Sequence, residues 1–248
     1  MILKRLASSI SRQDWFAVCL EVLIVVVGIY LGLQASEWSQ DRDDRQAEIA
    51  YLERIVVDLR SSEKQTRIDA DFQSRHAGYG GLIIDSLDTC ELSLNNRNDF
   101  ASGIYLAGKY INATFVKATI EELLSSGRAT LIRNAELRQK LIELLRFYDE
   151  HLFYMSDVQL RTAPHVNYID SVVPVTVREA IGGGVNITWD RLRTNFEDMC
   201  NDKRLLSAVI ATTNYTWDST DSLYTWAERL STLGGEVRAE LATLRKSK

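Results

Sequence analysis

Proline is almost missing from this 248-residue chain, which has two, Pro164 and Pro174. Between Gly32 and Gly78 there is neither proline nor glycine, so nothing in the backbone chemistry interrupts a helix there. A basic excess is missing too. The formal charge of −5 leaves no cationic footprint for a phosphate backbone, and nucleic acid is not an expected partner. The three histidines, His76, His151 and His165, are far apart in sequence. None has a cysteine, histidine or carboxylate at metal-ligand spacing, so no structural metal centre is expected. There is no Gly-x-Ser-x-Gly elbow, and "IGGGV" lacks the lysine and hydroxyl residue of a phosphate-cradling loop. Gly182 to Gly184 read as a flexible connection. The carboxylate pairs Glu121–Glu122 and Asp43–Asp44 read as solvated helix surface rather than acid/base machinery. No catalytic residue and no cofactor is expected.

What the chain does have is 46% apolar and 25% charged residues, the balance of an ordinary folded protein. With so few helix breakers, that composition favours an all-α fold. One apolar run stands out. From Trp15 to Leu33 a single charge, Glu21, occurs; as a helix the run covers about 28 Å, close to the hydrocarbon thickness of a bilayer. Trp15 and Trp38 flank it in the manner of an interfacial aromatic belt. Cleavage after "LQA" is disfavoured, because Leu33 is bulky where a small residue belongs and the run exceeds a signal-peptide core. The expected domains are a cytoplasmic N-terminus, 1–14, an uncleaved transmembrane helix, 15–36, and an extracytoplasmic helical domain, 37–248. Lys4, Arg5 and Arg12 before the run set that orientation by the positive-inside rule. The expected location is a membrane that separates the cytoplasm from the compartment of residues 37–248.

At about 100° per residue, Gly28, Gly32 and Ala35 fall within roughly 40° of Glu21 around the helix. One face thus joins a carboxylate to a Gly-x-x-x-Gly groove, the spacing that lets membrane helices approach closely. Three readings stay open for Glu21: a helix–helix contact, a tolerated protonated or water-reached side chain, and a proton or ion path that would need a partner.

Beyond Trp38, Ile49, Leu52, Val56 and Leu59 recur at helical spacing and continue the helix outward. Gly78, Gly80 and Gly81 are expected to end it or force a turn, and "LIIDSLDTCEL" to form a separate short helix. Ser125-Ser126-Gly127 reads as a helix stop and Asn134 as the next start. Leu137, Leu141, Leu144, Tyr148, Leu152 and Met155 form one apolar face. Thr188 is placed to cap a helix holding Trp189, Leu192 and Phe196. A long helix from about Asp202 to Leu233 carries Leu206, Val209, Thr213, Trp217, Tyr224, Ala227 and Leu230, with Gly234-Gly235 ahead of a last short helix. The expected core includes Leu123, Leu141, Leu144, Tyr148, Val209 and Trp217. If the topology holds, Cys90 and Cys200 share the oxidising compartment while Cys19 lies in the span. A Cys90–Cys200 disulfide is then expected, with two separate buried thiols as the alternative.

"EVLIVVVGIYLGLQASEWSQDR", "YLERIVVDL" and "TIEELLSSGRATLIRNAELRQKL" together resemble a bacterial family of small single-span membrane proteins with no assigned activity. The matching positions are Glu21, Gly28, Gln34 and Trp38, then Thr119, Glu122, Leu123, Ser125, Ser126, Gly127, Leu131, Ile132, Asn134, Leu137 and Arg138. Ile120 stands where the family has an aromatic. The resemblance implies the architecture and no chemistry. The leading functional expectation is a membrane-anchored scaffold, accessory or assembly module that meets a protein partner, or a second copy, through the transmembrane helix. A small-ligand sensor acting through a partner, and an enzyme with an unfamiliar site, are the alternatives.

Overall fold

The computed structural model describes residues 15–176 and 187–246, and its elements are helical apart from one isolated bridge between Val175 and Leu192. Among the described residues six α-helices follow in chain order: α1 (Trp15–Thr89), α2 (Arg97–Leu106), α3 (Ala118–Ser125), α4 (Ala135–Val172), α5 (Phe196–Asn201) and α6 (Lys203–Lys246). Contacts divide the chain into two compact units, one up to Ala50 and one from Tyr51 onward. Gly182 to Gly184, read as a flexible connection, lie outside the described residues.

In the second unit the long helices pair along their lengths. Arg67 donates to Glu228 and Tyr224 to Asp71, while Arg245 meets Glu53; each step up α1 is matched by a step down α6, so the two are antiparallel. Lys140 with Glu236, His151 with Ser222 and Met155 with Ser219 set the same relation between α4 and α6. α1 and α4 therefore run parallel to each other.

The expected stop at Gly78–Gly81 does not occur, since α1 runs through to Thr89. A glycine inside a helix costs about 1 kcal/mol, and close packing outweighs that at Gly80. A Cβ there would collide with the Thr213 side chain, so glycine is what lets α1 and α6 approach. "LIIDSLDT" is accordingly the last part of α1, which ends where Cys90 adopts φ 55°, a left-handed position usually given to glycine. Gly234-Gly235 is likewise no boundary, because Val237, Leu241 and Leu244 carry the buried seam of α6 to its end. Asn134 does start α4, its side chain accepting from Leu137 N–H at 3.1 Å. α3 stops at Ser125 as expected, with Gly127 at φ 70°. Thr188 makes no cap bond, and Trp189 to Arg191 form a 3₁₀ turn ahead of α5. Asp202 instead caps α6, accepting from Arg204 and Leu205 N–H.

Leu123, Leu141, Leu144 and Val209 are buried as expected. Tyr148 is half-buried, and Leu152 gives its place in the seam to His151. Trp217 is 45% exposed. The buried stripe of α6 passes through Thr212, Thr213, Thr216, Ser219 and Thr220 before reaching Leu223 and Trp226. Of these only Thr213 belongs to the face expected from the sequence; the other hydroxyls are hidden from a search for apolar periodicity. Thr212, Thr216 and Thr220 each donate to the carbonyl four residues earlier, which satisfies them inside their own helix.

The chain between α2 and α3 buries Ala113 and Phe115 without helical hydrogen bonds, so side chains satisfy its backbone. Ser62 Oγ accepts from Val116 N–H at 2.8 Å, Thr66 donates to the Thr114 carbonyl at 3.1 Å, and His151 Nε2 accepts from Ala113 N–H at 3.3 Å. Buried polar residues on α1 and α4 thus follow from where this segment runs. At the far end, Ile83, Leu87, Phe100, Ile104, Ile169 and Met199 form an apolar cluster.

Candidate interaction surfaces

Because α1 is unbroken, Glu21, Gly28, Gly32 and Ala35 do share one helix face. That face is bare: all four residues are exposed, and added Cβ atoms at Gly28 and Gly32 would meet nothing within 4 Å. The apolar side chains around it, from Leu20 to Leu33, stand 46–63% exposed. α1 is a helix long and apolar enough to cross a membrane, and none of its apolar window is buried.

Cys90 and Cys200, 110 residues apart, are brought together with Cα atoms 5.5 Å apart and their sulfurs at bonding contact. This is disulfide spacing. The pair ties the end of α1 to α5, and in the chain-entropy model a loop of this length contributes up to about 4–5 kcal/mol.

The histidines do other work. His76 packs edge-on against Phe72, ring centroids 3.8 Å apart, and burial with the nearby Arg75 guanidinium lowers its pKa to about 4. His151 pairs with Ser222 Oγ at 3.1 Å through Nδ1, an arrangement that invites a nucleophile reading. The tautomer decides against it. Nε2 accepts the Ala113 N–H, so in the neutral ring Nδ1 carries the proton and donates to Ser222. Burial lowers the His151 pKa and keeps the ring neutral. Ser222 therefore has no base to activate it. Among the described residues no group of three histidine, cysteine or carboxylate side chains is placed to hold a metal.

The carboxylate pair on α3 is engaged in ion pairs. Glu121 meets Lys117 at 2.9 Å. Glu122 takes Arg54 at 2.6 Å and the Tyr51 hydroxyl at 3.0 Å, and those hydrogen bonds hold its pKa below the usual carboxylate range. Thr119 donates to Asp58, Asn134 to Glu240 at 2.8 Å and Arg138 to the Ile132 carbonyl at 2.6 Å. "YLER" on α1 and the "TIEELL…N…LR" block thus meet, and their polar residues clasp α3 and the head of α4 to the rest of the bundle. Their pattern is structural.

Sequence reasoning missed a groove between α4 and α6. Three adjoining cavities of about 410, 280 and 330 Å³ follow it from Asn134 to Tyr154 on one side and from Ser222 to Thr243 on the other. Its floor holds Leu144, Phe147 and Leu233, with Arg229 lying 4.3 Å over the Phe147 ring. The available signal was Glu136, Glu143 and Glu150, repeating every seven residues beside the apolar face of α4.

No family model, curated protein or solved structure matches the chain.

Proposed function

We propose that this chain is a single-pass, membrane-anchored helical module of the bacterial inner membrane. Its N-terminus is cytoplasmic, its bundle extracytoplasmic, and its task is to hold or assemble another membrane or periplasmic protein. The carrying observation is the exposed apolar window of α1: the bundle builds its core without it, and a fully exposed Leu or Val leaves about 1.5–3 kcal/mol of burial unrealised. A bilayer is the solvent such a surface fits. Within that solvent the Glu21–Gly28–Gly32–Ala35 face offers a close approach and a hydrogen-bonding group to a second helix. The Cys90–Cys200 pair suits an oxidising compartment.

The test is intramembrane crosslinking from the Gly28 face, with co-purification in mild detergent. Glu21→Leu is expected to weaken the crosslinked association and Glu21→Gln to weaken it less, since glutamine keeps hydrogen-bonding capacity. Unchanged crosslinks in Glu21→Leu would sink the contact reading. The groove between α4 and α6 is of small-ligand size, and a metabolite retained by the purified protein would favour a sensor instead.

A further inference from the structure

We propose that the groove between α4 and α6 receives the outward face of α1 from a second copy of this chain. The groove is acidic. Glu136, Glu143 and Glu150 edge it on α4 and Glu228, Glu236 and Glu240 on α6, against two lining cations among the described residues, Lys140 and Arg229. Lys140 is already held between Glu136 at 2.8 Å and Glu236 at 2.9 Å. Glu228 takes Arg67, and Glu150 takes Arg146. Among the described residues Glu143 and Glu240 meet no cation, accepting only from the Gln139 and Asn134 amides. The occupant that fits is a helix with apolar residues for the Leu144–Phe147–Leu233 floor and lysine or arginine for the rims.

α1 carries such a face. Val57, Lys64, Ile68 and Arg75 fall within about 20° of one direction around the helix, flanked by Arg60 and Phe72. Val57 is 66% and Ile68 51% exposed. Among the described residues Arg60 and Lys64 make no ion pair, and Arg75 lies over the Phe72 ring. Asp71, the carboxylate on that side, is engaged by Tyr224.

The levels also match. Arg67–Glu228 and Tyr224–Asp71 set residues 67–71 of α1 beside 224–228 of α6. Lys140–Glu236 and His151–Ser222 set residues 140–151 of α4 beside 222–236 of α6. Residues 57–75 of α1, about 27 Å of helix, thus stand level with the groove, and α1 runs parallel to α4. Two bundles side by side and the same way up bring the basic face to the acidic groove. The arrangement rests on the membrane-anchor reading, because a shared bilayer is what holds copies in one orientation. The contact is heterologous, joining unlike surfaces, and so builds a ring or a row.

The experiment uses the full chain, heavy-isotope and unlabelled copies reconstituted together in vesicles, with zero-length carbodiimide coupling of amines to carboxylates. The expected result is a peptide joining Lys64 of one isotope to Glu143 of the other. Arg60→Glu with Arg75→Glu on the face, or Glu136→Lys with Glu150→Lys on the rim, is expected to lower that yield about fivefold; combining both pairs restores it to within about twofold. All four positions are exposed, and unchanged helicity by circular dichroism verifies folding. Absence of the mixed-isotope link, or a yield indifferent to both reversals, overturns the proposal. A carbonate wash of the vesicles separates the two readings. Retained protein without the link rejects the docking alone. Protein lost to the wash rejects the anchor, and the docking is then decided by the same link in the soluble fraction.

Discussion

The first half of α1 and the middle of α6 invert each other. From Leu20 to Leu33 the side chains are apolar and exposed; from Thr212 to Thr220 the stripe facing the core is made of hydroxyls, with Thr212 at 1% and Ser219 at 0% exposure. In each case a rule that reads apolar as inside and polar as outside fails, for different reasons. On the proposed reading, the window of α1 is apolar because lipid rather than protein surrounds it. The stripe of α6 is polar because small hydroxyls can bond back to their own helix and leave room for a close neighbour. Apolar character therefore reports the intended solvent, and burial reports geometry.

The largest effect expected from that comparison lies in the window. Ile24→Lys with Ile29→Lys should cost about 5–7 kcal/mol of membrane insertion at about 2.5–3.5 kcal/mol per central charge. Carbonate extraction should move the protein from pellet to supernatant, and a pelleted variant would mean that lipid is not the solvent of this surface. On the α6 side, Gly80→Val forces a side chain onto Thr213 and should cost about 1–3 kcal/mol. Gly81→Ala, where an added Cβ meets nothing within 4 Å, should gain about 0.5–1 kcal/mol. Thermal unfolding of the full chain in detergent measures both, and equal shifts of the same sign would refute close approach as the reason for Gly80.

The smallest effect concerns pH. His76 is favoured neutral in the folded chain, with its pKa lowered to about 4 by burial and then by Arg75, against about 6.5 unfolded. Between those values the unfolded chain binds the extra proton. The His76 contribution is therefore present above about pH 6.5 and lost as pH falls towards 4. After discounting for its partial exposure the loss should be about 1 kcal/mol. His76→Gln should flatten the fall in melting temperature over that range, and an identical slope would show that His76 is not its source.

Much of the architecture was legible because it follows local rules. The apolar run, the cap at Asn134, the stop at Gly127 and the apolar positions Leu137, Leu141 and Leu144 each depend on a few neighbouring residues. The misreadings share a cause. Gly80 reads as a breaker because glycine weakens an isolated helix, and Trp217 reads as core because it is large and apolar. Both depend on what stands opposite, which is Thr213 for the first and open solvent for the second. The polar residues of "TIEELL" gave a pattern without a purpose until Tyr51 and Arg54 were seen to close on Glu122.

By itself the sequence determined an all-helical chain with one membrane-length apolar window and a carboxylate on the glycine face of that window, because helix periodicity and transfer free energy act residue by residue. The approach of Cys90 to Cys200, the neutral state of the His151–Ser222 pair, and the level at which an acidic groove meets a basic face were decided by tertiary structure. Each depends on residues 38 or more positions apart, whose spacing is set by how the long helices and the connections between them pack.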